Sequence, residues 1–234
     1  MPLLEVRALE AWYGRAQILH GISLDVDRGE AVVMLGRNGA GKSTTFKAIM
    51  GLEAERAGSI RLGGDEIIGW PTHRIARAGL GYVPEDRRIF GGLTVRENLT
   101  VGRLPARLGQ HWTMEELFKL FPNLGRMTDR PGARMSGGEQ QMLTIARTLM
   151  GNPLCVLLDE PSEGLAPVIL DGIATAIIEL KRRGVGLLVS EQNLHFARLI
   201  ADRAYIIESG AIRFAGTIAE LDANPALSEQ YLSV

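Results

Sequence analysis

Over the first 26 residues apolar and polar positions alternate, most clearly at Ile22, Leu24 and Val26. With Ile60-Arg61-Leu62-Gly63-Gly64 this period-two pattern predicts an antiparallel β lobe. Ala31-Val32-Val33-Met34-Leu35 and Leu154-Cys155-Val156-Leu157-Leu158 differ in character, being short continuous apolar runs suited to strands buried on both faces of a parallel sheet. Thr44 to Met50 predicts a helix ending near Gly51, and Gln140 to Met150 another. From about Arg87 to Arg134 the chain is helical and irregular, with Val95-Arg96-Glu97-Asn98-Leu99 after Thr94 and Met114 to Phe121 stopped by Pro122. Beyond residue 160 the α/β pattern returns, with a helix through Ile177-Ile178-Glu179-Leu180, a strand Val185 to Val189, and Tyr205 to Ser209 turning at Gly210 into Ala211-Ile212-Arg213-Phe214. No internal repeat, low-complexity tract or linker interrupts this order.

The chemistry sits at the ends of the continuous apolar runs. Gly36-Arg37-Asn38-Gly39-Ala40-Gly41-Lys42-Ser43, followed by Thr44, fits G-x-x-x-x-G-K-[ST] between a strand and a helix. There glycines let backbone N–H groups close around phosphates at a positive helix N-terminus, Lys42 reaches the β/γ oxygens, and Ser43 offers a hydroxyl to Mg²⁺. The second run ends in Asp159-Glu160, so two carboxylates emerge at the C-terminal edge of a parallel sheet, where such sheets bind ligands. Asp159 is expected to hold Mg²⁺, and Glu160 to orient and deprotonate a water that attacks phosphate. Ser136-Gly137-Gly138-Glu139 reads as a capping box opening a helix. Two glycines behind the cap leave N–H groups bare, a weak helix start but a good anion site.

Met135-Ser136-Gly137-Gly138-Glu139, standing between these two phosphate elements, resembles the LSGGQ signature of the ATP-binding-cassette (ABC) ATPases. The resemblance covers nearly the whole chain. It implies an α/β P-loop NTPase fold with a parallel-sheet core, an antiparallel β lobe and a helical subdomain, as a single domain over residues 1–234 with residues 87–150 as the subdomain. It further implies that Tyr13 stacks on adenine, although the same ring also reads as a strand aromatic in the core. Glu85, in Gly-Tyr-Val-Pro-Glu, stands where the family has the Q-loop glutamine, so an added carboxylate either ligates the metal or repels phosphate. Pro161 to Pro167 takes the place of the D-loop without its usual Ala-Leu-Asp. Gln192 stands in for the switch histidine and can donate an amide hydrogen bond but carries no charge.

Within the family the resemblance is to the short ATPase subunits of branched-chain amino-acid importers, where Val-Pro-Glu, Ser-Gly-Gly-Glu-Gln, Gly-Leu-Ala-Pro and Glu-Gln-Asn occur together. Related importers carry urea, short amides or other amino acids. That implies ATP and Mg²⁺, a head-to-tail pairing with a second ABC ATPase, identical or a longer sister, and two membrane-spanning permease subunits. A periplasmic or extracellular substrate-binding protein would act indirectly, and the chain would lie on the cytoplasmic face of the inner membrane. Arg87, Arg88 and Phe90 are candidates for the cleft that receives a permease helix, the alternative being an ordinary solvated charge run. A rival reading is a soluble cassette that uses ATP-driven dimerisation as an assembly switch. A GTPase is disfavoured, since no Asn-Lys-x-Asp appears.

Composition changes this picture only by exclusion. Twenty-six basic against 27 acidic residues leave a formal charge of −1, so no global field favours nucleic acid. No stretch approaches the roughly 18 apolar residues needed to span a bilayer, and charges come too early at the N-terminus for a signal peptide. A membrane role therefore needs partners that do the spanning. The single cysteine, Cys155, reads as a small core residue, and His195 as a surface or packing histidine.

Overall fold

The computed structural model describes residues 1–52, 55–106 and 111–232. In chain order, β1 (Leu4–Tyr13) and β2 (Ala16–Val26) are followed by β3 (Ala31–Leu35), α1 (Lys42–Met50), β4 (Glu55–Leu62), β5 (Asp65–Glu66), α2 (Thr72–Ala78) and β6 (Leu80–Val83). Helices α3 (Val95–Val101), α4 (Met114–Leu120), α5 (Pro122–Gly125) and α6 (Gly137–Leu149) come next. Then follow β7 (Cys155–Asp159), α7 (Pro167–Arg182), β8 (Gly186–Glu191), α8 (Leu194–Ile200), β9 (Arg203–Glu208), β10 (Ala211–Thr217), α9 (Ile218–Asp222) and α10 (Pro225–Tyr231).

The alternating N-terminal pattern folds as predicted, into an antiparallel sheet of order β2-β1-β4-β5. The continuous apolar runs build the other sheet, of order β10-β9-β3-β8-β7-β6, in which β9, β3, β8, β7 and β6 are parallel and β10 is antiparallel. Every residue of β3 and β7 is buried, yet period two still operates within them. Val33 and Leu35 enter the core formed with α6, α7 and α8, while Val32 and Met34 enter the one formed with α1 and the antiparallel sheet. Val156 and Leu158 divide from Cys155 and Leu157 in the same way. A strand buried on both faces has no polar side to show, and each such side chain contributes ~1.5–3 kcal/mol of burial. Cys155 is fully buried, and burial pushes its thiol up to about 12.

Register is what positions the site. Leu35, the last residue of β3, pairs with Glu191 at the end of β8, and Asp159, the last of β7, pairs with Ser190. The loop after β3, the acids after β7 and the end of β8 therefore emerge side by side at one sheet edge, with β8 between the other two.

Several boundaries differ from expectation. Helix α1 starts at Lys42, two residues before Thr44, because Gly41 takes φ 111° and lets the chain turn into the helix at once. Pro122 stops α4 as predicted but also opens α5, since proline's missing N–H and fixed φ suit the first position of a helix. The strand predicted at Val185 to Val189 runs from Gly186 to Glu191, carrying its polar end residues into the site.

Candidate functional site

The loop from Gly36 to Ser43 wraps the N-terminus of α1. Gly36 is compelled by space, since a Cβ there would lie 2.5 Å from the Ile207 carbonyl oxygen. No side chain caps α1, so the first N–H groups of the helix are left for an external acceptor. Asn38, Gly39, Gly41, Lys42, Ser43 and Thr44 line a cavity of about 230 Å³ with Glu85 and Glu160.

Lys42 is 4% exposed, and its ammonium uses all three of its protons. It donates to the Gly36 carbonyl at 2.7 Å and the Arg37 carbonyl at 3.0 Å, and pairs with Glu160 Oε1 at 3.0 Å. Glu160, 8% exposed, also accepts from Gln192 Nε2 at 2.8 Å, and the same amide reaches Asn38 Oδ1 at 2.7 Å. The resemblance-derived Gln192 thus stands between the P-loop and Glu160. The backbone of Glu160 takes φ 44°, the left-handed region that a non-glycine residue enters only when its surroundings hold it there.

Asp159 accepts from Ser43 Oγ at 3.1 Å, Ser190 Oγ at 2.6 Å and Tyr82 OH at 3.1 Å. Burial raises its pKa, with Glu160 adding to the rise and the three hydroxyls opposing it. A hydroxyl and a carboxylate side by side are hard oxygen donors. They fit Mg²⁺, which takes one or two carboxylates and completes its shell with water and substrate phosphate oxygens. Glu85 lines the same cavity as Ser43 and Glu160; burial, then the carboxylates of Glu163, Glu160 and Asp159, hold its pKa above the usual carboxylate range.

The remaining expected residues lie outside this cluster. Tyr13 ends β1 and is 38% exposed, so its ring is not a core aromatic, and it does not line the P-loop cavity. Ser136 caps α6 and forms the predicted capping box, its N–H donating to Glu139 Oε2 at 2.7 Å and its Oγ accepting from the Glu139 N–H at 3.4 Å. Gly137 and Gly138 occupy the first two helical positions, outside that box. A Cβ on Gly138 would meet Ile169 Cγ1 at 2.9 Å and Cγ2 at 3.0 Å, so packing crowds that position, whereas at Gly137 the near atom is the flexible end of Arg87, Nη1 at 2.7 Å. None of Ser136 to Glu139 lines the P-loop cavity. The Arg87 guanidinium lies against Gly137, and the residue lines a cavity with Glu85, Gln140 and Glu163, whereas Phe90 lines a separate groove. His195 is exposed on α8.

Sequence reasoning missed Tyr82, Ser162, Ser190 and Glu191. Ser190 Oγ accepts from the Glu160 N–H at 2.9 Å while donating to Asp159. Glu191, 2% exposed, accepts from the Ser162 N–H at 3.1 Å, Ser162 Oγ at 2.8 Å and the Asn193 N–H at 3.4 Å. Burial pushes its carboxyl up to about 7 against the pull of those donors. The only local signal was two polar residues closing an otherwise apolar strand.

A family model described as ABC transporter matches residues 19–163. The BraG protein of Pseudomonas aeruginosa, a high-affinity branched-chain amino acid transport ATP-binding protein, is 42% identical over 98% of this chain and 99% of its own. The lipopolysaccharide export ATP-binding protein LptB of Haemophilus influenzae is 35% identical over 99% of this chain and 98% of its own. Among solved structures, a nucleotide-free ATP-binding cassette from an ABC transporter superposes with a TM-score of 0.84 at 26% identity, covering the whole of both chains. The ADP conformation of the cassette MJ1267 gives 0.81 at 26% identity over 98% of each chain.

Proposed function

The chain belongs to the ABC transporter family, and from that premise we propose that it is the ATP-hydrolysing subunit of a branched-chain amino acid importer. One observation carries the cargo: identity over nearly the full length is higher to the branched-chain amino acid relative than to LptB. The end-to-end similarity to LptB favours a second reading, in which the same motor serves an export system.

In this reading the open N-terminus of α1 and Lys42 hold the phosphates, and Tyr13 offers a face to adenine. Ser43 and Asp159 would hold Mg²⁺, which when bound neutralises phosphate charge. Glu160 orients and deprotonates water, and Gln192 steadies its carboxylate through a neutral amide. Ser136 to Glu139, which do not line their own P-loop cavity, serve the P-loop of a second subunit, identical or a sister.

ABC ATP-binding subunits work with membrane permeases, and among the described residues no helix is long and apolar enough to cross a membrane. The surface proposed for the permease is a groove of about 340 Å³ between α2, β6, α3 and α6, lined by Met50, Leu80, Tyr82, Phe90, Val101 and Leu104. Phe90 is 48% exposed there, with the Arg147 guanidinium 5.0 Å from its ring centroid. Phe90→Asp is expected to leave ATP hydrolysis by the purified chain unchanged and to cut transport by more than about tenfold, the scale of losing an aromatic anchor. Uptake of labelled amino acid beside phosphate release measures both, and normal uptake would sink the docking site.

The experiment that tests the whole reading is affinity purification of the tagged chain from gently solubilised native membranes. Two polytopic proteins and a second cassette ATPase are the expected companions, and uptake assays on that complex identify the cargo. Soluble companions alone would favour the assembly-switch rival, and outer-envelope export components the LptB-like reading.

A further inference from the structure

We propose that Glu191 is a positioning residue for ATP hydrolysis, acting through Ser162 to hold Glu160 in its left-handed backbone conformation. This rests on the hydrolytic role assigned above to Glu160. The segment Glu160-Pro161-Ser162 leaves β7 with φ 44° at its first residue and is pinned at both ends by the last two residues of β8. At the front, the Glu160 N–H donates to Ser190 Oγ at 2.9 Å. At the back, the two carboxylate oxygens of Glu191 take the Ser162 N–H at 3.1 Å and Ser162 Oγ at 2.8 Å. Glu191 Oε2 also takes the Asn193 N–H at 3.4 Å, so one buried side chain ties the loop after Glu160 to the loop that carries Gln192. Gln192 in turn bonds the Glu160 carboxylate. The closed circuit runs Glu160, Ser162, Glu191, Gln192 and back to Glu160.

Glu191 is buried and touches neither the P-loop nor Lys42 through any of these bonds, so its job is separable from holding nucleotide. A left-handed non-glycine residue is strained and persists only where its neighbours over-determine it. Removing the back pin lets the backbone at Glu160 relax and moves its carboxylate, and a displacement of about 1 Å in a catalytic group can cost 10²-fold in rate. Loss confined to the transition state lowers kcat and leaves KM alone.

The test uses the purified full chain with ATP and Mg²⁺, following phosphate release and thermal unfolding. Glu191→Ala is expected to lower kcat at least about tenfold while KM for ATP stays within about twofold. Glu191→Gln keeps an oxygen for the Ser162 N–H and offers an amide to Ser162 Oγ but turns a donor toward the Asn193 N–H that shares Oε2, so its kcat falls between those of Glu191→Ala and wild type. Ser162→Ala, which keeps the backbone bond, loses less than Glu191→Ala and adds almost nothing to it when the two are combined. A wild-type kcat in Glu191→Ala, a KM that rises in step with the fall in kcat, or additive losses in the double variant would overturn the proposal. If Glu191→Ala does not fold, Glu191→Asp, one methylene too short for the two-point grip, takes its place in the same cycle under the same criteria. A wild-type chain that binds ATP and releases no phosphate removes the hydrolytic reading and the positioning role with it. An active wild type matched by an equally active Glu191→Ala removes the positioning role alone.

Discussion

Glu160→Gln will lower phosphate release by about 10²–10⁴-fold, the range attached to a positioned general base, while ATP remains bound. Glutamine has the same shape and can still accept from the Gln192 amide, so the wall of the cavity is kept. What disappears is a carboxylate 3.0 Å from Lys42 Nζ and facing the phosphate cavity. That carboxylate repels an incoming triphosphate, so its neutralisation is expected to leave ATP affinity equal to wild type or tighter. With ATP bound and not consumed, subunits joined through nucleotide should stay joined, and the variant should elute from gel filtration with ATP and Mg²⁺ as a dimer. Elution as a monomer under those conditions contradicts the head-to-tail pairing. Wild-type turnover contradicts the assignment of the base.

The parts of this site legible in the sequence are those whose cause is local. Gly36 to Ser43 announces itself because glycine spacing, lysine and a following helix lie within nine residues, and Asp159-Glu160 because two acids end an apolar run. The Ser136 cap, with Glu139 three residues on, is equally local. Tyr82, Ser190 and Glu191 escaped because their partners are set by strand order. Tyr82 reaches Asp159 across 77 residues only because β6 pairs with β7, and Ser190 and Glu191 reach it and Ser162 only because β8 pairs with β7. No pattern along the chain says that β8 stands between β3 and β7. Helix α2 was missed for a different reason: in Thr-His-Arg-Ile-Ala-Arg-Ala only Ile75 is buried, so there is no apolar stripe to read. A charge run predicts exposure but not direction: Arg87 and Arg88 both take positive φ, and the Arg87 guanidinium lies against Gly137 of the signature.

Lys42→Ala is expected to remove both binding and turnover, with a fall in rate of at least about 10²–10³, the scale of losing one preorganised charge-stabilising donor at a phosphate. The complication is that Lys42 also neutralises Glu160. Both side chains are more than nine-tenths buried, and taking away one partner of a buried pair costs about 3–5 kcal/mol because the other charge stays behind. A dead and partly unfolded variant would therefore not distinguish a phosphate ligand from a structural lysine. Lys42→Ala/Glu160→Gln separates them. Glutamine at 160 abolishes the orphaned charge, so the unfolding midpoint should recover most of what Lys42→Ala lost. A lysine whose role is to bind phosphate leaves the doubly substituted chain stable and still unable to hold ATP. A lysine whose role is only to neutralise Glu160 leaves it stable and able to bind, and nucleotide binding by that variant would overthrow the P-loop assignment.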